Sequence, residues 1–195
     1  MTNLISARQK MTASELEEVA ADCVRASRSI AAARGITLSY DPDGEMPIHA
    51  DEALVRRLAM NLLDNAIKYT PEGGKISVAC ARSGGEYSLT VKDSGPGIPA
   101  EAREKIFERF FRLDPARTHS GRENSGPPDT AASATAGAGL GLAIARWIAE
   151  AHHGRLTLVQ SDASGSTFAA FLPANGSKSS ASAPPAATQK TESVS

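Results

Sequence analysis

At 195 residues and 41% hydrophobic, the chain is long enough to build one domain with a real core and short for two. Its 21 Lys+Arg against 22 Asp+Glu leave no basic field for non-specific nucleic-acid binding. Its apolar runs fall short of the roughly 18 to 20 residues of a membrane span, and the first residues lack a signal-peptide core. The expectation is a soluble, cytoplasmic chain that contacts neither nucleic acid nor membrane. Cys23 and Cys80, one in a helical and one in a strand pattern, suit buried thiols rather than a disulfide framework or a metal site.

Residues 1–11 are polar and aperiodic, an N-terminal linker. TASE at 12–15 has the form of a capping box, so a first helix is expected to open there and run to about Ala33, stopping at Gly35. ITLSYD at 36–41 alternates like a strand and DPDGEMP is a turn cluster. Asp51 then suits the N-cap of a second helix reaching Tyr69. KISVACA and EYSLTVK alternate around Ser83-Gly84-Gly85, an antiparallel hairpin whose second strand runs into Asp93. DSGPGIP is irregular, and AREKIFERFFR has helical spacing through Ile106, Phe107 and Phe110. From Leu113 to Ala136, 16 of 24 residues are Gly, Pro, Ser, Ala or Thr, which is too little apolar surface to pack; a mobile loop is expected. GAGLGLAIARWIAEAHHG is a glycine-led helix ending at Gly154, and RLTLVQS and STFAAFL form a second hairpin across Ala163-Ser164-Gly165. The Ser/Ala/Pro-rich tail, 174–195, is expected to be disordered. Together these elements predict an α/β (α+β) two-layer sandwich for residues 12–173, a mixed sheet of about five strands with three main helices on one face.

NLLDNAIKYT, at 61–70, closes the second helix with a divided surface. At 100° per residue Leu62, Leu63, Ala66 and Ile67 share one arc, and Asn61, Asp64, Asn65, Lys68 and Tyr69 the other. Asn65 offers a neutral carboxamide oxygen to a hard cation and Lys68 a compact charge to a phosphate. Tyr69 can lay its ring on a base or sugar while its hydroxyl stays wet. A solvated helix face explains the same residues. Asp93 ends a strand ahead of SGPGIP, where a carboxylate can accept from the exocyclic amine of adenine and Gly95 and Gly97 leave the backbone uncovered; an ordinary tight turn explains that too. GAGLGLA places Gly137, Gly139 and Gly141 at a helix start, favourable to an anion but without the Lys-Ser/Thr of a P-loop.

In combination and in this order, the segments resemble the ATP-binding catalytic domain of bacterial sensor histidine kinases, within the superfamily shared with gyrase B, Hsp90 and MutL. The resemblance spans roughly Asp51 to Leu172: NLLDNAIKYT is similar to the N box, DSGPGIP to the first glycine box, IFERFFR to the F box and GAGLGLAIA to the second glycine box. It implies a Bergerat-type ATP-binding fold with Mg²⁺ on Asn65, Asn61 and Lys68 on the phosphate side and Tyr69 near the base. It further implies Asp93 on the adenine amine, with Gly95, Gly97 and Ile98 shaping the pocket. Gly137, Gly139, Leu140 and Gly141 would close over the triphosphate. Residues 113–136 become the ATP lid, rooted by Phe107, Phe110 and Phe111, with Arg112 able to reach the terminal phosphate.

The implied reaction is donation of the γ-phosphate of Mg·ATP to a histidine on a dimerisation domain in cis or trans, with a response regulator downstream. Any membrane anchor would lie elsewhere in a parent kinase, and 1–11 would be the end of a dimerisation helix. PIHAD, RTHSG and EAHHG do not resemble a phosphoacceptor segment; His152 and His153 are read as helix-end residues favourable to the dipole. Two other classes compete: a non-catalytic nucleotide-sensing or docking module of the same fold, and an ATPase that switches conformation. The F box argues against the last.

Overall fold

The computed structural model describes residues 12–113 and 139–174. The expectations for 1–11, for the tail beyond Ala174, for Gly137 and His119, and for all of the proposed lid except Leu113 lie outside the described residues.

The chain order is β1 (Thr12–Glu15), α1 (Leu16–Ala33), β2 (Thr37–Pro42), β3 (Pro47–Ala50), α2 (Glu52–Tyr69), β4 (Lys75–Ser83), β5 (Glu86–Asp93), α3 (Gly141–Ala151), β6 (Arg155–Asp162) and β7 (Gly165–Pro173). Five strands form one mixed sheet in the order β2-β4-β5-β7-β6, with β2 parallel to β4 and the other pairs antiparallel. The helices line one face. Val55, Leu58, Ala59, Leu62, Leu63, Ala66 and Ile67 of α2 are buried at the helical period. They meet a core that includes the alternating Ile76, Val78 and Cys80 of β4 and Tyr87, Leu89 and Val91 of β5. Cys23 and Cys80 are buried and free, as their patterns predict.

Asp51 caps α2 as expected, accepting from the Leu54 N–H at 3.2 Å. TASE does not cap α1. It is a strand, β1, paired antiparallel with β3 in a separate two-stranded sheet, and the turn cluster before Asp51 therefore ends in a strand that the sequence did not show. The start of α1 is satisfied from this sheet's approach instead: the Leu16 N–H donates to the Met46 carbonyl at 3.0 Å, and the Glu17 carboxylate accepts from the Met46 N–H at 2.9 Å. Partners distant in sequence replace the local cap.

The segment from Ala100 to Phe111 is not an α-helix. It forms 3₁₀ turns at Ala100–Ala102 and Lys105–Phe107, then becomes extended at Glu108 (ψ 148°) and left-handed at Phe110 (φ 65°). The reason is a pair of tethers. Arg103 donates to the carbonyls of Ile98 (3.2 Å) and Ser161 (2.6 Å), and the Phe110 N–H donates to the Gly139 carbonyl at 3.0 Å. A straight helix cannot satisfy both. Phe107 packs edge-on against Phe168, with ring centroids 6.3 Å apart, and Phe111 lies against the core, whereas the Phe110 side chain is 70% exposed.

Candidate nucleotide site

The site forms where the ends of α2 and β5 meet the start of α3. On α2, Asn61, Asn65 and Lys68 are half-buried and Asp64 and Tyr69 exposed, while the residues between them enter the core. The divided surface in NLLDNAIKYT is therefore real. The Lys68 ammonium lies 5.0 Å from the centroid of the Tyr69 ring. Behind them, Arg34 at the end of α1 donates to the carbonyls of Ile67 and Lys68, so a guanidinium fixes the exposed carbonyl end of α2.

The first residue of α3 faces this surface. A Cβ on Gly141 would stand 3.5 Å from Asn61 Oδ1 and 3.9 Å from Asn65 Nδ2. Among the described residues Asn61 Nδ2 is buried with no hydrogen-bond partner. A buried amide donor left without a partner is costly, and a helix start such as that of α3 favours an anion through N–H groups that have no intrahelical partner. Leu140, half-buried, holds the N-cap position, and its carbonyl accepts from the Ile144 N–H at 2.9 Å. Gly139 has φ 70°, and a Cβ there would come within 2.7 Å of the Phe111 carbonyl oxygen. Only glycine permits this contact, which joins the two described ends of the 113–139 segment. Arg112 is exposed at one of those ends.

Asp93 is buried, 7% exposed, at the end of β5. Its Oδ1 accepts from the Gly95 N–H at 2.8 Å and the Ser166 N–H at 3.3 Å. Burial pushes the carboxyl up from its ordinary value, and these two hydrogen bonds oppose the shift without cancelling it. Gly95 lets the loop lie on the Tyr69 carbonyl, 2.8 Å from where its Cβ would be. Gly97 (φ 75°) serves a different need: a Cβ would fall 2.0 Å from the Asp162 carbonyl oxygen, so its hydrogen lets the loop close on β6. Ile98 packs against the core and donates its N–H to Ser161 Oγ at 2.7 Å.

The structure thus brings together Asn61, Asn65, Lys68, Tyr69, Asp93, Gly95, Gly139, Leu140 and Gly141. Gly97 and Ile98 support the loop beside them. Sequence reasoning missed Arg34, Arg103, Ser161 and Ser166, which hold the site from behind. Ser166 becomes visible only through the register of β5 with β7, which sets it opposite Asp93. The reading of His152 also changes. It is buried at the C-cap of α3, with Nδ1 2.8 Å from the Ile148 carbonyl oxygen and Nε2 accepting from the Asp51 N–H at 3.1 Å. A ring that accepts through Nε2 is the Nδ1–H tautomer, a connector between elements rather than a cation at a helix dipole. The left-handed position that ends α3 is held by His153 (φ 59°), not by Gly154; Gly154 is needed because a Cβ there would meet the Phe171 carbonyl oxygen at 2.0 Å.

The donor set suits a polyphosphate with a hard cation. Among the described residues no group of three or more His, Cys, Asp or Glu could hold a metal ion. No helix among the described residues is long and apolar enough to cross a membrane.

Residues 50–176 match the family of histidine kinase-, DNA gyrase B- and HSP90-like ATPases. The chain is 34% identical over 183 residues to the adaptive-response sensory kinase SasA of Rippkaea orientalis, covering 89% of this chain and 43% of that protein. It is 32% identical to the sensor-like histidine kinase SenX3 of Mycolicibacterium smegmatis, covering 84% and 39%. It therefore spans less than half the length of these relatives. Among solved structures, the catalytic domain of histidine kinase ThkA superposes with a TM-score of 0.71 at 27% identity, covering 87% of this chain and 99% of that one. Full-length ShkA in complex with AMPPNP gives 0.69 at 26%, covering 87% and 32%. On these matches the chain belongs to the histidine kinase-, DNA gyrase B- and HSP90-like ATPases, in the branch of sensor histidine kinase catalytic domains.

Proposed function

We propose that this chain binds Mg·ATP and presents the γ-phosphate to a histidine on another domain or chain, as the catalytic part, residues 12–173, of a cytoplasmic two-component signalling module with a response regulator downstream. The observation that carries this reading is the meeting of α2 with α3, where the Asn61 amide, unpartnered among the described residues, and the Asn65 carboxamide face the glycine start of α3. In support of the partners, ThkA, with which this chain shares the fold at 25% identity and a TM-score of 0.66, has been solved in complex with the response regulator protein TrrA.

In this reading Asp93 accepts from the adenine amine with the oxygen that Gly95 and Ser166 leave free, and the Tyr69 ring covers the base. Asn61, Lys68 and the N–H groups at the start of α3 bind the phosphates, and Asn65 orients the metal. The metal, when bound, neutralises charge developing on the phosphoryl oxygens. The acceptor imidazole nitrogen forms the new N–P bond as the bond from phosphorus to the β,γ-bridging oxygen breaks and ADP departs; the imidazole proton passes to a base on the acceptor's own domain. The work of this chain is positioning and charge stabilisation. Isothermal titration with ATP, with and without Mg²⁺, tests the reading. Tight binding that needs the metal is the expected result, and absence of binding under both conditions overturns it.

A further inference from the structure

The two helices that carry the phosphate side run antiparallel and touch at two levels. At one, Gly141 opens α3 against Asn61 and Asn65. At the other, the His152 ring that closes α3 accepts from the backbone N–H of Asp51, the residue that caps α2. Ten residues separate Asp51 from Asn61 and eleven separate Gly141 from His152, about 15 and 17 Å of helix at 1.5 Å per residue. The lengths match, so a tie at one level sets the register at the other. Apolar contacts such as those of Ala145, Ile148 and Ala149 hold the helices together but are non-directional and tolerate sliding; a hydrogen bond between a buried ring and a backbone N–H does not.

We infer that His152 is a positioning residue for the nucleotide site: as the Nδ1–H tautomer it locks α3 against the N-cap of α2 and so fixes how closely the glycine start of α3 approaches Asn61 and Asn65. His152 touches no nucleotide. Its effect passes along α3, whose helical hydrogen bonds make it a rigid strut. The inference rests on the Mg·ATP reading of the site.

The two ring nitrogens can be replaced one at a time. In His152→Gln the carboxamide oxygen reaches the place of Nε2 and can accept from Asp51, while the bond to Ile148 is lost. In His152→Asn the amide reaches only the place of Nδ1, so the bond within α3 survives and the tie to α2 is lost. Each variant forfeits one hydrogen bond, and a merely structural role would lower the melting temperature of both while leaving their affinities for Mg·ATP alike. The positioning role separates them: His152→Gln should bind Mg·ATP within about twofold of wild type and His152→Asn about tenfold more weakly, the size of one lost hydrogen bond. Equal affinities in the two folded variants would overturn the inference. A second measurement needs no variant: long-range ¹H–¹⁵N NMR correlations of the full chain should show His152 as the Nδ1–H tautomer, and an Nε2–H tautomer would overturn it equally. Wild-type chain that binds no Mg·ATP would instead refute the nucleotide reading on which both rest.

Discussion

Asp93 and Ser166 stand opposite each other across the β5–β7 ladder, and the Ser166 N–H donates to Asp93 Oδ1 at 3.3 Å while the Gly95 N–H takes the same oxygen at 2.8 Å. Both bonds converge on one oxygen. The carboxylate is thereby oriented by the backbone and keeps its other oxygen for a ligand. The cost is burial of a charge, offset only in part by the two donors. A buried carboxylate held this way suits the binding role proposed for it better than a stabilising one.

Asp93→Asn should therefore stabilise the empty protein at neutral pH while weakening adenine nucleotides at least about tenfold, because its one oxygen stays with the Gly95 and Ser166 N–H groups and the amino group in place of the free oxygen cannot accept from the adenine amine. The sign follows from linkage. The folded-state pKa of Asp93 is raised, so the folded state binds its proton more readily than the unfolded state, and this residue's contribution to stability declines as pH climbs from the ordinary carboxylate range through the raised value. Thermal unfolding measured across that window should show the decline in wild type and lose Asp93's share of it in the variant.

Asn65→Ala should remove most of the benefit that Mg²⁺ gives to ATP binding, whereas Asp93→Ala should weaken ATP about 10- to 100-fold with and without metal alike, the range expected for a charge-assisted hydrogen bond. Calorimetric titrations at fixed Mg²⁺ distinguish the two. Identical metal dependence in both variants would contradict the separation of metal and base roles.

Two glycine substitutions should behave in opposite ways. Gly97→Ala places a Cβ 2.0 Å from the Asp162 carbonyl oxygen at a φ of 75°, and we expect a loss of at least about 2 kcal/mol in chemical denaturation. Gly141→Ala meets only ordinary contacts, with Asn61 Oδ1 3.5 Å away, so the fold should survive or gain up to about 1 kcal/mol. Its methyl group nonetheless enters the space between α3 and the asparagines, and Mg·ATP affinity should fall.

Incubated alone with γ-labelled Mg·ATP, the chain should bind nucleotide but remain unlabelled. His152 is buried with both ring nitrogens engaged, and His49 and His153 are exposed on a strand and a helix end, with no resemblance around them to a phosphoacceptor segment. Acid-labile label should appear on a cognate dimerisation domain added in trans. Label on this chain, lost when His119 is replaced, would show an acceptor within it.

What the sequence by itself determined was local and periodic: the second helix and its cap at Asp51, the two hairpins, the division of NLLDNAIKYT into a core face and a polar face, and the strand that delivers Asp93. A helix period or a strand alternation is written within ten or so residues, and the order of the boxes carried the rest of the resemblance. The tertiary structure decided everything that depends on a distant partner. TASE has the letters of a cap, yet pairing with Pro47–Ala50 makes it a strand. AREKIFERFFR has helical spacing, yet tethers to Ser161 and Gly139 break it into turns. EAHHG has the look of a helix end, yet only the packing of α3 on α2 reveals His152 as an acceptor for the Asp51 N–H. In the first two cases a partner far along the chain outweighed a local preference worth about 1 kcal/mol or less, in the third it gave a helix-end residue a second role, and no window of sequence contains both ends of such a bond.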